Sequence, residues 1–383
     1  MSGGIKRSYA TVSAIIVIGI ILVGTGLILY VPDSGNGTTT TTDPTTTTPN
    51  TTEPVGDPNP FEVAIVFIAG GLGDGRFNDF VYEGVLKAHE DYNINFTYAE
   101  PMQLSDYEPM IRNLANHTEY IDPYKLIICI AWDQVDALLI VAEEYPEQEF
   151  AVIDPLVTID SEIYPNVASV NFVRSEAGAL VGVIAGLMTE TDSIGFLGGM
   201  EIALINAFTA GYVWGANLTN PGINYTLDYT NTWIDINMGK TLTKGMYAAG
   251  VDIVYQVAAI AGYGAFDAAK EDNETSPTPL WVIGSDVPQM YLGCLDPENP
   301  TPPTVGLTSA LLRMDVAIYD LMYEAVLGIW VGGNRTYDIS NDGVNYEINT
   351  DLLVLPQSVI DTVEMIATGI VNGTYIVPHT IYW

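Results

Sequence analysis

Cations are scarce in this chain. Its 383 residues hold 12 lysines and arginines against 47 aspartates and glutamates, a formal charge of −35. Such a charge repels nucleic acid and anionic lipid and disfavours phosphorylated ligands, so a neutral or cationic ligand is expected and a nucleic-acid partner is excluded. Solubility in salty or acidic surroundings is an equally good reason for the acidity. Histidine is nearly absent: His89 falls on a helix face, His117 inside a sequon and His379 near the end. Neither a histidine-based nucleophile triad nor a histidine metal cluster is visible, and no cofactor, metal ligand or catalytic residue is expected. Only two cysteines are present. Cys129 sits in the apolar run 126–131 and reads as a buried strand residue, while Cys294 follows Gly293 in a loop. A disulfide between them is the lesser reading. No Gly-Lys-Ser/Thr follows the glycines Gly71, Gly73 and Gly75, and Asp74 among them would repel phosphate. A nucleotide-binding loop is thereby rejected.

What is present at the start is one long apolar run, 10–31, preceded only by Lys6 and Arg7. As a helix its 22 residues extend about 33 Å, enough to cross a hydrocarbon core. A cleavable signal peptide competes with that reading, but the run is long for one and Gly24-Thr25-Gly26-Leu27 is a weak cleavage site. No cysteine stands at its end to accept a lipid. The expectation is an uncleaved anchor at 1–31, single-pass in the cell membrane, with the cations on the cytoplasmic side and the rest outside. The Thr, Pro and Asn of 38–54 cannot bury apolar surface, and 32–60 reads as an extracellular stalk. Nine Asn-x-Thr sequons begin at Asn36, Asn50, Asn95, Asn116, Asn217, Asn224, Asn273, Asn334 and Asn372. Composition alone gives roughly three, so a glycosylated exterior and an archaeal source are expected.

From residue 61 the pattern changes to alternation. Strand-like runs at 63–68, 95–99, 126–130, 150–153, 167–171, 193–197, 225–229, 253–256 and 281–284 are separated by helical patterns at 80–90, 133–144, 176–189, 205–218, 239–249 and 266–271. That is the βα order of parallel, doubly wound sheets, and about 320 residues suffice for two lobes. In such sheets ligands lie beyond the carboxyl ends of strands. The loop 70–79 falls there, between the apolar strand 61–69 and a helix starting near Asn78. Its glycines permit close backbone approach, and Asp74, Phe77 and Asn78 offer an acceptor, an aromatic face and an amide. It is either a small-molecule cradle or an ordinary strand-to-helix turn.

The motifs in their order decide for the cradle. They are Gly73-Asp74-Gly75-Arg76-Phe77-Asn78 with Glu83-Gly84, then Asp136-Ala137 followed by Ala142-Glu143-Glu144-Tyr145-Pro146. Further on come Glu176-Ala177-Gly178, Gly195-Phe196-Leu197-Gly198-Gly199, Phe208-Thr209-Ala210-Gly211, Gly284-Ser285-Asp286 and Thr308-Ser309. From 61 to about 320 this resembles the basic membrane protein family of ABC-transporter substrate-binding proteins, which includes purine nucleoside receptors. The resemblance implies an α/β, type I periplasmic-binding-protein fold: two doubly wound lobes joined by hinge crossovers that close over a ligand. Lobe 1 is expected at about 61–165 and 287–330, lobe 2 at about 166–286 and 331–383. It further implies that Phe77 and Phe208 sandwich a nucleobase, Asp136 reads the base edge, Asp286 takes ribose hydroxyls, Asp74 and Asn78 complete the cradle, and Trp132 stands beside the cleft. The chain departs from the family at Leu312, where a sugar-bonding lysine is usual, at Arg76, where serine is usual, and at 257–262, where a glycine-rich turn is usual.

The expected function is capture of a nucleoside or nucleobase-like solute for an ABC permease and its separate ATPase subunits, without chemistry. Two other readings stand beside it. The stalk, sequons and altered cleft suit a surface or filament-forming scaffold, and convergence of Asp74, Asp136 and Asp286 on one cleft would suit a nucleoside hydrolase.

Overall fold

The computed structural model describes residues 59–116 and 122–380. The expected anchor at 1–31 and nearly all of the expected stalk lie outside the described residues. Twelve strands build two six-stranded sheets. In chain order they are β1 (Val63–Val66), β2 (Phe96–Ala99), β3 (Leu126–Ile130), β4 (Phe150–Ile153), β5 (Val167–Phe172), β6 (Ser193–Gly198), β7 (Asn224–Tyr229) and β8 (Ile253–Val257), then β9 (Trp281–Asp286), β10 (Gly306–Leu312), β11 (Gly333–Tyr337) and β12 (Val344–Tyr346). The first sheet runs β11-β5-β4-β3-β1-β2 and is parallel throughout. The second runs β12-β10-β9-β8-β6-β7 and is parallel except for the edge pair β10–β12.

Nine α-helices cover these sheets among the described residues: α1 (Phe77–Tyr92), α2 (Tyr107–Ala115), α3 (Val135–Glu144), α4 (Arg174–Met188), α5 (Ala203–Thr219), α6 (Ile236–Ala248), α7 (Tyr263–Asp272), α8 (Met314–Leu327) and α9 (Gln357–Val371). Covering both faces explains why the central strands are continuous apolar runs. In β1, Val63 and Ile65 join one core, Ala64 and Val66 the other.

The chain changes sheet three times, at Val173, at Arg313 and at residues 338–343. These crossings correct the expected lobe boundaries. β5 lies in the first sheet, β10 in the second and β11 in the first, each opposite to the expectation. Burial on both faces looks the same in a central strand of either sheet, and the single-residue crossings at Val173 and Arg313 carry no glycine or proline to mark them.

α4 and α5 pack backbone against backbone. A Cβ at Gly211 would lie 1.8 Å from the carbonyl oxygen of Ser175, and one at Gly178 would lie 2.3 Å from that of Phe208. Glycine is required at both positions. Two sequons have a structural use for their asparagine. The amide of Asn273 bonds both backbone groups of Leu280, and that of Asn334 both backbone groups of Ile159. Cys129 and Cys294 are buried and unpaired.

Candidate functional site

The loop after β1 is held by its own side chains. Asn78, buried in the first turn of α1, accepts from the Ile68 N–H (2.9 Å) and donates to the carbonyls of Ile68 (3.2 Å) and Gly71 (2.8 Å). Asp79 accepts from the N–H groups of Gly73 and Gly75, each at 2.7 Å. Those two glycines have φ of 88° and 61°, the left-handed region that glycine enters without steric cost. Asp74 accepts from the N–H groups of Arg76 (2.8 Å) and Asn78 (3.1 Å), filling donors that the helix start leaves open. Phe77 and Arg76, at the head of α1, are thereby fixed in place.

Phe77 lines a cavity of about 570 Å³ between the two sheets. Its walls come from segments that follow strand carboxyl ends: Ala131 and Trp132 after β3, Asp154 after β4, Ile202 after β6, Ala259 after β8, with Asp286 closing β9. Phe208 faces the same cavity from α5. Backbone strain gathers here. Of nine described non-glycine residues with positive φ, five line the cavity: Ala131, Asp154, Leu156, Ala259 and Asp286. Left-handed backbone costs a side-chain-bearing residue about 1 to 3 kcal/mol and persists where the surroundings hold it, commonly at ligand clamps.

The charges are buried and ordered. Arg174, at the first crossing, donates to the carboxylate of Asp154, and both residues are about 8% exposed. Asp286 lies near this pair. Burial pushes its carboxyl up to about 6, opposed by the charges of Arg174 and Arg76 and reinforced by that of Asp154. Asp133 also lines the cavity and accepts from the Tyr107 hydroxyl at 2.7 Å, while that hydroxyl accepts from the Ala69 N–H at 2.9 Å. Beside this cavity, Tyr291 donates to the carbonyl of Gly75 (3.1 Å), and the Arg76 guanidinium stands 5.5 Å from the Tyr263 ring centroid.

Phe77, Trp132, Phe208 and Asp286 therefore meet at one cavity, and three expected contacts do not join them. Asp136 is exposed on the first turn of α3, where a carboxylate complements the helix dipole. Asp74 is spent on the cap and faces a separate cavity of about 670 Å³ bounded by Tyr263, Tyr291 and Glu298. Asn78 is consumed beneath the loop. Leu312 ends β10 in the apolar core, and its neighbour Arg313 pairs with Asp315 and Asp342, so neither supplies a cation to the cavity. Arg174 does. Sequence reading missed Arg174, Asp154, Asp133 and Trp233. A lone arginine between an apolar strand and a glycine-rich helix was the available signal for the first.

The chain is similar to known binding proteins over most of its length. Residues 61–380 match the family described as ABC transporter substrate-binding protein PnrA-like. It is 30% identical over 324 residues to the ABC transporter nucleoside-binding protein BmpA of Lactococcus lactis, covering 83% of this chain and 89% of that one. An uncharacterised lipoprotein of Pyrococcus abyssi is 32% identical over 292 residues, covering 74% of this chain and 68% of the other. The crystal structure of an ABC transporter solute-binding protein from Aeropyrum pernix superposes with a TM-score of 0.64 at 26% identity, covering 83% of this chain and 94% of that one. These findings correct the expected single-pass placement. No helix among the described residues is long and apolar enough to cross a membrane, and the Pyrococcus relative is named a lipoprotein. The run 10–31, on which the expectation rested, lies outside the described residues. A two-sheet α/β fold, a cleft at the strand carboxyl ends and a family match over 61–380 lead to one statement: the chain belongs to the PnrA-like, or Bmp, family of ABC-transporter substrate-binding proteins, which bind a small solute for a permease and its ATPase and are not enzymes.

Proposed function

We propose that the solute is a nucleoside or nucleobase-like molecule, stacked between Phe77 and Phe208 with its hydroxyls on Asp286. The observation that carries the reading is the arrival of these two rings from opposite sides at one cavity that also contains Asp286. Ring stacking contributes about 1 to 3 kcal/mol per base and is tolerant of base identity, so polar groups select the ligand. A carboxylate accepts two hydrogen bonds in one plane and suits a vicinal diol. In place of Asp136, the acid lining the cavity from that segment is Asp133, and Arg174 and Arg76 are the cations available to the sugar or the base edge. The Lactococcus relative, named as nucleoside-binding, supports the ligand class.

Calorimetric titration of the folded, ligand-free protein with nucleosides, free bases and unrelated solutes tests this. Micromolar or tighter binding of a nucleoside is expected, and Phe77→Ala should weaken it about 10- to 100-fold, the equivalent of losing one stacking face. Silence across the panel would overturn the reading.

A further inference from the structure

We propose that the ligand carries an apolar substituent on its ring or sugar, held between Trp132 and Trp233 at the cleft mouth. This rests on the nucleobase reading above and names the subclass: an alkylated or arylated nucleoside or base, not an unsubstituted one. The distribution of polarity in the cavity is the first ground. Of its charged residues, Asp154 and Arg174 are about 8% exposed and Arg76, Asp133 and Asp286 are half-buried, while the apolar Trp132 is 61%, Ile202 44% and Trp233 36% exposed. A surface cleft in water ordinarily shows the reverse, with charge outside and apolar groups within. An apolar rim gains free energy only when something apolar covers it.

The second ground is the effort with which Trp132 is presented. It follows Ala131, whose φ of 73° and ψ of 167° belong to backbone that side-chain-bearing residues avoid. The turn is pinned from three sides. Ala131 donates to the carbonyl of Ile153 (2.8 Å), and Asp133 accepts from Tyr107. The wholly buried Gln134 donates to the carbonyls of Val66, Phe67 and Ile130. All of that would hold equally well with a polar residue at 132. From the other lobe, Trp233 lies against Gly199, where a Cβ would come within 2.1 Å of the indole, so the glycine makes its seat. The carbonyl of Trp233 accepts from the Ala261 N–H at 3.1 Å. Two indoles from opposite lobes are thus set on fixed backbone around one opening.

The test compares adenosine, N6-benzyladenosine and 5′-deoxy-5′-methylthioadenosine by calorimetry and tryptophan fluorescence on the full chain. At least one substituted ligand should bind ten times or more tighter than adenosine and shift the indole emission. Trp132→Ala and Trp233→Ala should each reduce that preference about tenfold, and Trp233→Phe should keep most of it. If Trp233→Ala fails to fold, the exposed Trp132→Ala decides alone. Adenosine binding with no preference for either substituted ligand, or a preference unchanged in the alanine variants, overturns this inference and leaves the nucleobase reading intact. Absence of binding by all three to folded protein overturns both.

Discussion

At Asp286, burial and charge work against each other. Burial lifts the carboxyl to about 6, with Arg174 and Arg76 pulling it back and Asp154 adding to the lift. In the proposed complex, the ionised form accepts from both ligand hydroxyls, whereas protonation turns one oxygen into a donor. Nucleoside affinity is therefore expected to be flat above pH 7 and to weaken as pH falls through 6, approaching tenfold per unit below it. Asp286→Asn should flatten that profile between pH 5 and 8, and a wild-type profile already flat over the range would contradict the role. Side chains whose setting depends on immediate neighbours were legible in the sequence. Phe77 behind its glycine loop is the clearest example. Asp133 and Asp136 were not separable, since they lie on one short stretch. The tight turn Trp132–Gln134 before α3 brings the first to the cavity, and the helix carries the second to the surface. Trp233 and Arg174 reach the cavity only through tertiary folding, to which local patterns are blind.

The helix pair α4–α5 links packing to the site, because Phe208 sits on α5 with its carbonyl against Gly178. A methyl group at Gly211 would meet the Ser175 carbonyl at 1.8 Å, which only separation of the helices relieves. Gly211→Ala is expected to cost about 3 kcal/mol of unfolding free energy in urea titration, at the upper end of overpacking effects. Gly245→Ala makes the opposite case within α6. Nothing lies within 4 Å of a Cβ there, and the backbone is helical. That variant should gain up to about 1 kcal/mol. Equal effects from the two would show that backbone entropy, not close approach, governs both. Elements were the most legible level. The nine strands read from periodicity are present within two residues at their ends, because apolar runs bounded by turns leave little choice. Three strands went unread: β10, buried throughout but interrupted by the polar pair Thr308-Ser309, the antiparallel β12, three residues long, and the exposed edge strand β11, with its alternating burial.

For the molecule entire, several carboxyls share one direction. Glu83, Glu176, Asp320 and Glu347 are raised by burial, as is Asp286. Glu347 is the most enclosed, accepting from Ser309 and from the N–H groups of Gln289 and Met290. A group whose native pKa exceeds its unfolded value stabilises the fold fully below the unfolded value and loses that contribution as pH rises through the native one. For Asp286 the window runs from the ordinary value of 3.8 to about 6. The melting temperature is therefore expected to rise by several degrees as pH is lowered from 8 to about 5. The net charge of −35 adds self-repulsion that acid also relieves. Below that window the surface carboxylates Asp91, Glu144 and Glu271 oppose the trend, since each is lowered by a cationic partner and loses its pair on protonation. Calorimetric scans from pH 4 to 8 would check the sign, and a steady fall in melting temperature from 8 to 5 would refute it.

The three crossings also govern how the protein is made. β11 supplies an edge of the first sheet, and β12 and α9 complete the second, although all three come from residues 333–371. A nascent chain with every earlier strand already synthesised still has two incomplete lobes. Neither half is a contiguous segment: the first sheet waits for β11 at Gly333–Tyr337, and the second lobe waits for the last helix, Gln357–Val371.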